Sequence, residues 1–406
     1  MLRRAEKAWL IFKKHGFRDG IREILALYSG LQGPKNPDWL LELNFLMFPV
    51  SKACLDTKRS YPITINWFIP DFGRASGGHI NIFRFVLLFE SFGVDQRIYI
   101  VGGVGGNPEL ILAAARRMYF PISTPFEILS TLPKVRDADV LIATSWETAY
   151  WARSIPNVRR KYYMVQDRED LFFAAGAYSE FARATYRFGF MGLAAGNWLA
   201  ENLKQDYGMQ CHSFGFSYDR SLYAARPERS AESARLRIFF YARPGTERRG
   251  LELGILALSL VASALPSTQF VFAGMARQDW NLPFTPEYAG VLRLDQLSEM
   301  YGSCDAALVL SHTNLSLLPL ELMASGCPVV SNNGPNVEWM LNETNSVLCD
   351  PEPHSLANGL IELLNNHERR RQLRQTGLEF AHSTSWEIEA QRLMQLFVTD
   401  LGVPNV

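Results

Sequence analysis

Three arginines crowd one short stretch, "FFYARPGTERRGLELG" (239–254), at positions 243, 248 and 249. Guanidiniums placed where a helix begins repel one another and the positive end of the helix dipole, so they add little to stability. A bound diphosphate would satisfy all three, although arginines facing water would also fit the pattern. A second stretch, "TNLSLLPLELMASGCPVV" (313–330), holds a lone acid, Glu321, at a helix start. Its two oxygens could accept two sugar hydroxyls, or it could simply cap the helix. A third, "PDFGRASGGHINIFRF" (70–85), carries Gly73, Gly77 and Gly78, which let a backbone approach an oxyanion or a sugar hydroxyl closely. It is neither a GxGxxG fingerprint nor a P-loop, and a purely structural turn would read the same way. A fourth group, in "ATSWETAYWA" (143–152) and "YYMVQDREDLFF" (162–173), offers Ser145, Trp146, Glu147, Gln166, Asp167 and Glu169, either as ligands or as helix caps.

The elements that would position these loops are legible as an alternation. The runs "PITINWFI", "QRIYIV", "DVLIAT" and "KYYMV" each precede a helical pattern, and so do "LRIFFYA", "TQFVFAG", "DAALVL" and "CPVV" after residue 235. A long helix is expected from about 355 to 380. Strands alternating with helices predict two doubly wound parallel sheets in tandem. The polar stretch 219–235, "DRSLYAARPERSAESAR", reads as the linker between them. Ligands of such sheets bind beyond the carboxyl ends of the strands, which puts all four loops at a cleft between the domains.

Composition narrows the function. At 48% hydrophobic residues, the 406-residue chain can bury two cores, and 41 basic against 41 acidic side chains give no global pull towards nucleic acid. Cysteines 54, 211, 304, 327 and 349 lack paired spacing, which fits a reducing cytoplasm and argues against a zinc site. The seven histidines form no metal pattern; His79 and His312 lie in the candidate loops. No nucleophile elbow is visible. Asp137 and Asp139 fall at the starting end of a strand, away from the cleft, which disfavours a metal-dependent nucleotide site. Residues 1–28 mix Trp9, Leu10, Phe12 and Phe17 with seven bases and three acids, a pattern that suits either an anionic membrane surface or a helical arm packed on protein. No run approaches the ~20 apolar residues of a membrane span.

Together, the Gly-Gly loop, the arginine loop and "LPLELMASGCPVVSNNGPNVEWM" resemble the retaining GT-B glycosyltransferases of family 4. Within that family, "INWFIPDFGRASGGHINIFRF", "TSWETAYWA" and "YYMVQDREDLFF" look most like the bacterial rhamnosyltransferases of the WsaF type, which use dTDP-β-L-rhamnose. The resemblance covers the chain from about residue 60 onwards. It implies a Rossmann-like acceptor domain (60–225), a Rossmann-like donor domain (226–384) and a C-terminal helix (385–406) crossing back to the first domain, behind the N-terminal helical extension (1–59) expected from the residue pattern. Transfer to a glycan or lipid-linked glycan of a bacterial surface polysaccharide is then expected, with no metal or other cofactor. A cytoplasmic enzyme follows, touching the membrane through residues 1–28 or pairing as a homodimer, with no nucleic acid partner.

Carried over residue by residue, the resemblance puts Gly77, Gly78, Arg243, Arg248, Arg249, Thr313, Asn314, Leu317, Leu318 and Glu321 at the donor. Arg243 and Arg249 would hold the diphosphate, although the spacing is one residue longer than usual and Arg248 could be the true equivalent. Glu321 would grip the ribose. Trp146, Gln166, Asp167 and Glu169 would meet the acceptor, and Asp167 and His79 are the candidate acid–base groups. The departure is Thr313, which stands where the family has its first glutamate. A neutral residue there is consistent with a differently handled 6-deoxysugar donor or with a chain of weak or no activity. A nucleotide-sugar epimerase and a non-catalytic glycan-binding scaffold are the competing functions.

Overall fold

A computed structural model describes residues 38–53, 55, 62–72, 76–102, 107–129, 135–227 and 235–403. The expected basic helix at 1–28 and Gly73 lie outside these residues. The chain divides into two units after Phe48, and the described part of the first holds a helix at Asp38–Glu42 and a 3₁₀ turn at Asn44–Met47. All four candidate loops belong to the second unit, residues 49–406.

That unit contains two parallel sheets. The first joins β1 (Thr64–Ile69), β2 (Asp95–Val101), β3 (Phe126–Leu129), β4 (Ala138–Ala143), β5 (Val158–Val165), β6 (Met191–Ala195) and β7 (Cys211–Phe214) in the order β3-β2-β1-β4-β5-β6-β7. The second joins β8 (Arg237–Tyr241), β9 (Gln269–Ala273), β10 (Glu287–Gly290), β11 (Ala306–Val309), β12 (Val329–Asn332) and β13 (Ser346–Cys349) in the order β10-β9-β8-β11-β12-β13. Every residue of β1 and β4 is buried, as expected of strands covered by helices on both faces. In both sheets the order reverses direction beside the first strand, opening a crevice at the strand ends.

Two differences from the sequence reading have local causes. Strands β3, β7, β10 and β13, four residues each, are too short to show a period, and β6 reads "MGLAA", whose small residues hide it. The expected single helix after residue 355 is two, Pro353–Asn365 and His367–Ser383. Asn366 breaks the run and caps the second helix by accepting from the Arg369 N–H at 2.9 Å.

The helix Trp386–Leu401 returns to the first domain. Trp386 packs edge-on to Phe85 and Phe397 edge-on to Phe89, both on helix Gly77–Ser91, and the Tyr162 hydroxyl donates to Asp400 at 2.6 Å. Each buried aromatic contributes about 1.5–3 kcal/mol, so this helix holds the two domains in one unit. Asp139 is structural: it accepts from the N–H and hydroxyl of Thr64 and pairs with Arg159 at the starting end of β4. No helix among the described residues is long and apolar enough to cross a membrane.

Candidate active site

The chain leaves β8 through Ala242 into a loop whose 3₁₀ turn, Glu247–Arg249, carries two of the arginines ahead of helix Leu251–Ala264. Gly250 follows with φ +59°; a Cβ there would sit 3.0 Å from the His312 ring, so glycine is required by both conformation and space. The His312 N–H donates to the Arg248 carbonyl at 2.9 Å, tying this loop to the one after β11. Arg249 is locked: its Nη1 donates to Ser311 Oγ at 2.8 Å and to the Asn314 carbonyl at 3.2 Å. Burial pulls its pKa down from the usual guanidinium value, against the pull of Asp167, yet it stays protonated in any accessible range. Arg243 is exposed, held by the Tyr241 hydroxyl at 2.6 Å.

Across the cleft, Asp167 follows β5 and is buried. Its Oδ1 accepts from the Asn314 N–H at 2.7 Å and the Arg168 N–H at 2.8 Å, and its Oδ2 accepts from the Thr313 hydroxyl at 3.0 Å. Arg248 Nε lies 3.5 Å and Arg249 Nη2 3.9 Å from the same Oδ2. Burial raises the Asp167 pKa; Arg249, the Asn314 N–H, Arg248 and Thr313 hold the rise in check. The Arg248 guanidinium carbon lies over the Phe172 ring, 3.8 Å from its centroid, a cation–π contact with an exposed residue of the first domain.

Several candidate residues turn out to be engaged within the protein. The Asp167 carboxylate faces the second domain, not the acceptor side, because three hydrogen bonds, two of them from Thr313 and Asn314 of the second domain, and the two nearby arginines occupy its oxygens. Asn314 is fully buried: its amide donates to the Gln166 and Ala195 carbonyls, and its oxygen accepts from the Trp339 indole at 2.8 Å, so it joins the domains and has no group left for a donor sugar. Gly196, φ +85°, would place a Cβ 2.7 Å from that indole, which shows how tightly the seam is packed. His79 has Nδ1 on the Ser76 hydroxyl at 2.7 Å and Nε2 near the Pro70 carbonyl at 3.4 Å; burial lowers its pKa, so neither nitrogen is placed to take a proton from a substrate. The Trp146 ring is buried among Phe173, Tyr178 and Phe181.

Glu169 is likewise buried, accepting from the Trp146 N–H and the Tyr163 hydroxyl at 2.8 Å each. Burial, reinforced by neighbouring Glu147, pushes its pKa up to about 8. Gln166 donates to the Gly78 carbonyl at 3.1 Å and accepts from Asn81 at 2.7 Å, bracing the Gly-Gly turn, while Gly77 and Gly78 are exposed with no crowding around them. Leu317 and Leu318 bury their side chains, and the Leu318 N–H donates to Ser316 Oγ at 3.4 Å.

Glu321 does not meet the arginines. It lines a cavity between the domains with Ile80, Arg84, Phe120, Tyr223 and Leu317, and its Oε2 accepts from the Tyr301 hydroxyl at 3.4 Å. The Tyr223 hydroxyl faces the same carboxylate without reaching hydrogen-bond geometry. Burial lifts the Glu321 pKa to about 7, with both tyrosines opposing. Tyr223, Trp339 and Phe172 were not singled out in the sequence; the "DLFF" run and the tyrosine inside the linker were the available signals. Among the described residues no cluster could hold a metal ion.

Two facing Rossmann-like domains with a returning C-terminal helix define the GT-B fold. Residues 236–361 match the family model described as the WsaF C-terminal domain. The chain is 33% identical over 360 residues to the O-antigen biosynthesis protein RfbC of Myxococcus xanthus, covering 86% of this chain but only 28% of that protein. Among solved structures, sucrose-phosphate synthase from Thermosynechococcus elongatus superposes with a TM-score of 0.66 at 14% identity, over 85% of this chain and all of that one. HepE of Anabaena, solved with UDP and glucose, superposes at 0.64 with 13% identity, over 83% of this chain and all of its own.

Proposed function

We propose that this chain is a retaining glycosyltransferase that moves a sugar, L-rhamnose from dTDP-β-L-rhamnose, onto a bacterial surface polysaccharide or lipid-linked glycan. The observation that carries the reading is the excess of cation at the strand ends of the second domain: Arg243, Arg248 and Arg249 converge there, and the carboxylate within 4 Å of the latter two, Asp167, is one against three. A diphosphate fills that imbalance. As the bond from the sugar to the diphosphate breaks, negative charge collects on the departing phosphate, and fixed guanidiniums in a part-buried site stabilise it without a metal ion. Glu321 stands apart from these arginines, enclosed with Tyr223 in a cavity of about 20 Å³ and bonded to Tyr301, so a ribose-binding role for it requires that cavity to open. The matching WsaF C-terminal domain family and the RfbC relative support a glycosyltransferase of polysaccharide synthesis, and a GT-B neighbour solved with UDP supports a nucleotide-sugar donor; the rhamnosyl identity of that donor rests on the sequence resemblance. The protein would work in the cytoplasm, with residues 1–28 as its contact to the membrane.

The test is a panel of dTDP-, UDP- and GDP-sugars offered with and without glycan acceptor to the wild type and to folded Arg243→Ala and Glu321→Ala proteins. Acceptor-dependent consumption of dTDP-rhamnose, weakened in both variants, is expected. Donor conversion without acceptor would make the chain an epimerase. No nucleotide binding at all would leave a glycan-binding scaffold, the alternative of which Thr313 is the marker.

A further inference from the structure

The arginine pocket is completed from the opposite domain. Arg248 and Arg249 belong to the loop after β8, but their carboxylate partner among the described residues is Asp167, which follows β5 of the first domain. The same carboxylate takes the Thr313 hydroxyl at 3.0 Å and the Asn314 N–H at 2.7 Å, both from the loop after β11. Thr313 and Asn314 are themselves almost wholly enclosed, and the Asp167 side chain keeps 11% of its surface. A hydroxyl at position 313 therefore has a definite task, since it is the donor that a buried acid on the facing domain requires. A carboxylate at 313 would set two negative groups about 3 Å apart, where they cannot both ionise.

All these contacts cross the seam. If the domains separate, Asp167 leaves with one and the arginines, Thr313 and Asn314 with the other. Arg248 would then keep its guanidinium stacked on nothing, because Phe172 also belongs to the first domain. Arg249 would keep Ser311 and the Asn314 carbonyl, both on its own side.

We infer that Asp167 is a positioning residue which, held by Thr313 across the closed seam, sets Arg248 in its working orientation beside the already fixed Arg249, so that the diphosphate pocket is completed only when the domains shut. The carboxylate acts through Arg248 and takes no proton from the acceptor. The inference rests on the proposed donor chemistry for its kinetic consequence, but not for its geometric one.

Asp167→Asn, Thr313→Val, Thr313→Asp and the reciprocal exchange Asp167→Thr with Thr313→Asp test it. For Asp167→Asn, kcat falls about 100-fold, while dTDP affinity by calorimetry stays within about threefold, since freed arginines still attract phosphate. Thr313→Val loses about tenfold in kcat, and Thr313→Asp at least as much. The reciprocal exchange, which restores one acid and one hydroxyl to the seam, recovers at least tenfold over Asp167→Asn. Small-angle scattering with dTDP present should show Asp167→Asn more open than the wild type and the exchange closed again. Equal losses in kcat, dTDP affinity and thermal midpoint would reduce Asp167 to a structural group, and an exchange no better than the single variants would overturn the pairing. If the wild type transfers no sugar from any donor, the proposed function fails by itself. The scattering arm still decides this inference, which an unaltered envelope in Asp167→Asn would overturn.

Discussion

The strand ends of the second domain present arginines, those of the first present acids, and burial acts on the two sets in opposite practical senses. Arg249 is pulled below its usual value and remains a cation, because a guanidinium has range to spare. Glu147, Asp167 and Glu169 are all pushed upwards by burial, and for Glu169 the rise ends at about 8. The arginine side of the cleft thus carries fixed charge, as a phosphate site needs. The first domain carries carboxyls whose charge depends on their partners: Asp167 is held towards ionisation by two arginines, and Glu169, two residues on, meets neutral donors and another acid.

The sharpest way to break this comparison is to remove the cation that burial cannot neutralise. Arg249→Ala should weaken dTDP or UDP binding by about 10- to 100-fold, the loss of a charge-assisted hydrogen bond of about 1.5–3 kcal/mol, measured by calorimetry on a protein whose circular dichroism is unchanged. Affinity within threefold of wild type would remove the arginines from the donor site. Arg249→Lys should recover part of the loss, since it keeps the charge but not the fork that reaches Ser311 and the Asn314 carbonyl together.

Next comes the opposite side. Glu169 binds its proton more tightly folded than unfolded, so between its unfolded value near 4.5 and its folded value of about 8 the native state holds the extra proton and stability falls as pH rises. Thermal midpoints should therefore drop between pH 5 and pH 8.5 in the wild type, by the equivalent of about 4 kcal/mol more than in Glu169→Gln. Parallel pH profiles in the two proteins would mean that Glu169 is ionised throughout.

A smaller effect is expected at Arg243, which is exposed and held by one tyrosine hydroxyl. Its replacement by alanine should cost about three- to tenfold in nucleotide affinity, and that loss should shrink at high salt more than the Arg249 loss does, because screening acts on exposed charge.

How much of this could be read from the chain follows from the distance over which each feature is encoded. The long strands β1, β2, β4 and β5 announce themselves as apolar runs, and the arginine loop is conspicuous because three like charges within seven residues have no local reason to exist. The seam is not encoded locally. Asp167 and Thr313 stand 146 positions apart, Gly196 and Trp339 almost as far, and nothing near either member of a pair names the other. Trp146 and Glu169 read as cleft residues because they follow strands, yet each lies beneath the surface, where the Trp146 N–H and Glu169 satisfy one another at 2.8 Å. Strand-end position places a residue near the cleft; which way its side chain turns is decided by partners from other elements.

The smallest predicted effect separates a structural glycine from a functional one. A Cβ on Gly78 would meet the Gln166 amide at 3.5 Å, ordinary contact, and its backbone is not in the left-handed region. Gly78 is the second residue of helix Gly77–Ser91, where alanine is intrinsically the better helix former. Gly78→Ala should consequently fold with a stability within about 1 kcal/mol of wild type. A turn kept for structural reasons would then leave nucleotide-sugar turnover untouched as well. If the backbone at Gly78 comes up against the donor or acceptor, as the exposed and uncrowded Gly-Gly turn implies, the added methyl group occupies the ligand's space and raises KM several-fold with an unaltered melting curve. Equal KM values for Gly78→Ala and wild type would assign the turn to the fold and leave the acidic side of the cleft with no backbone ligand at that point.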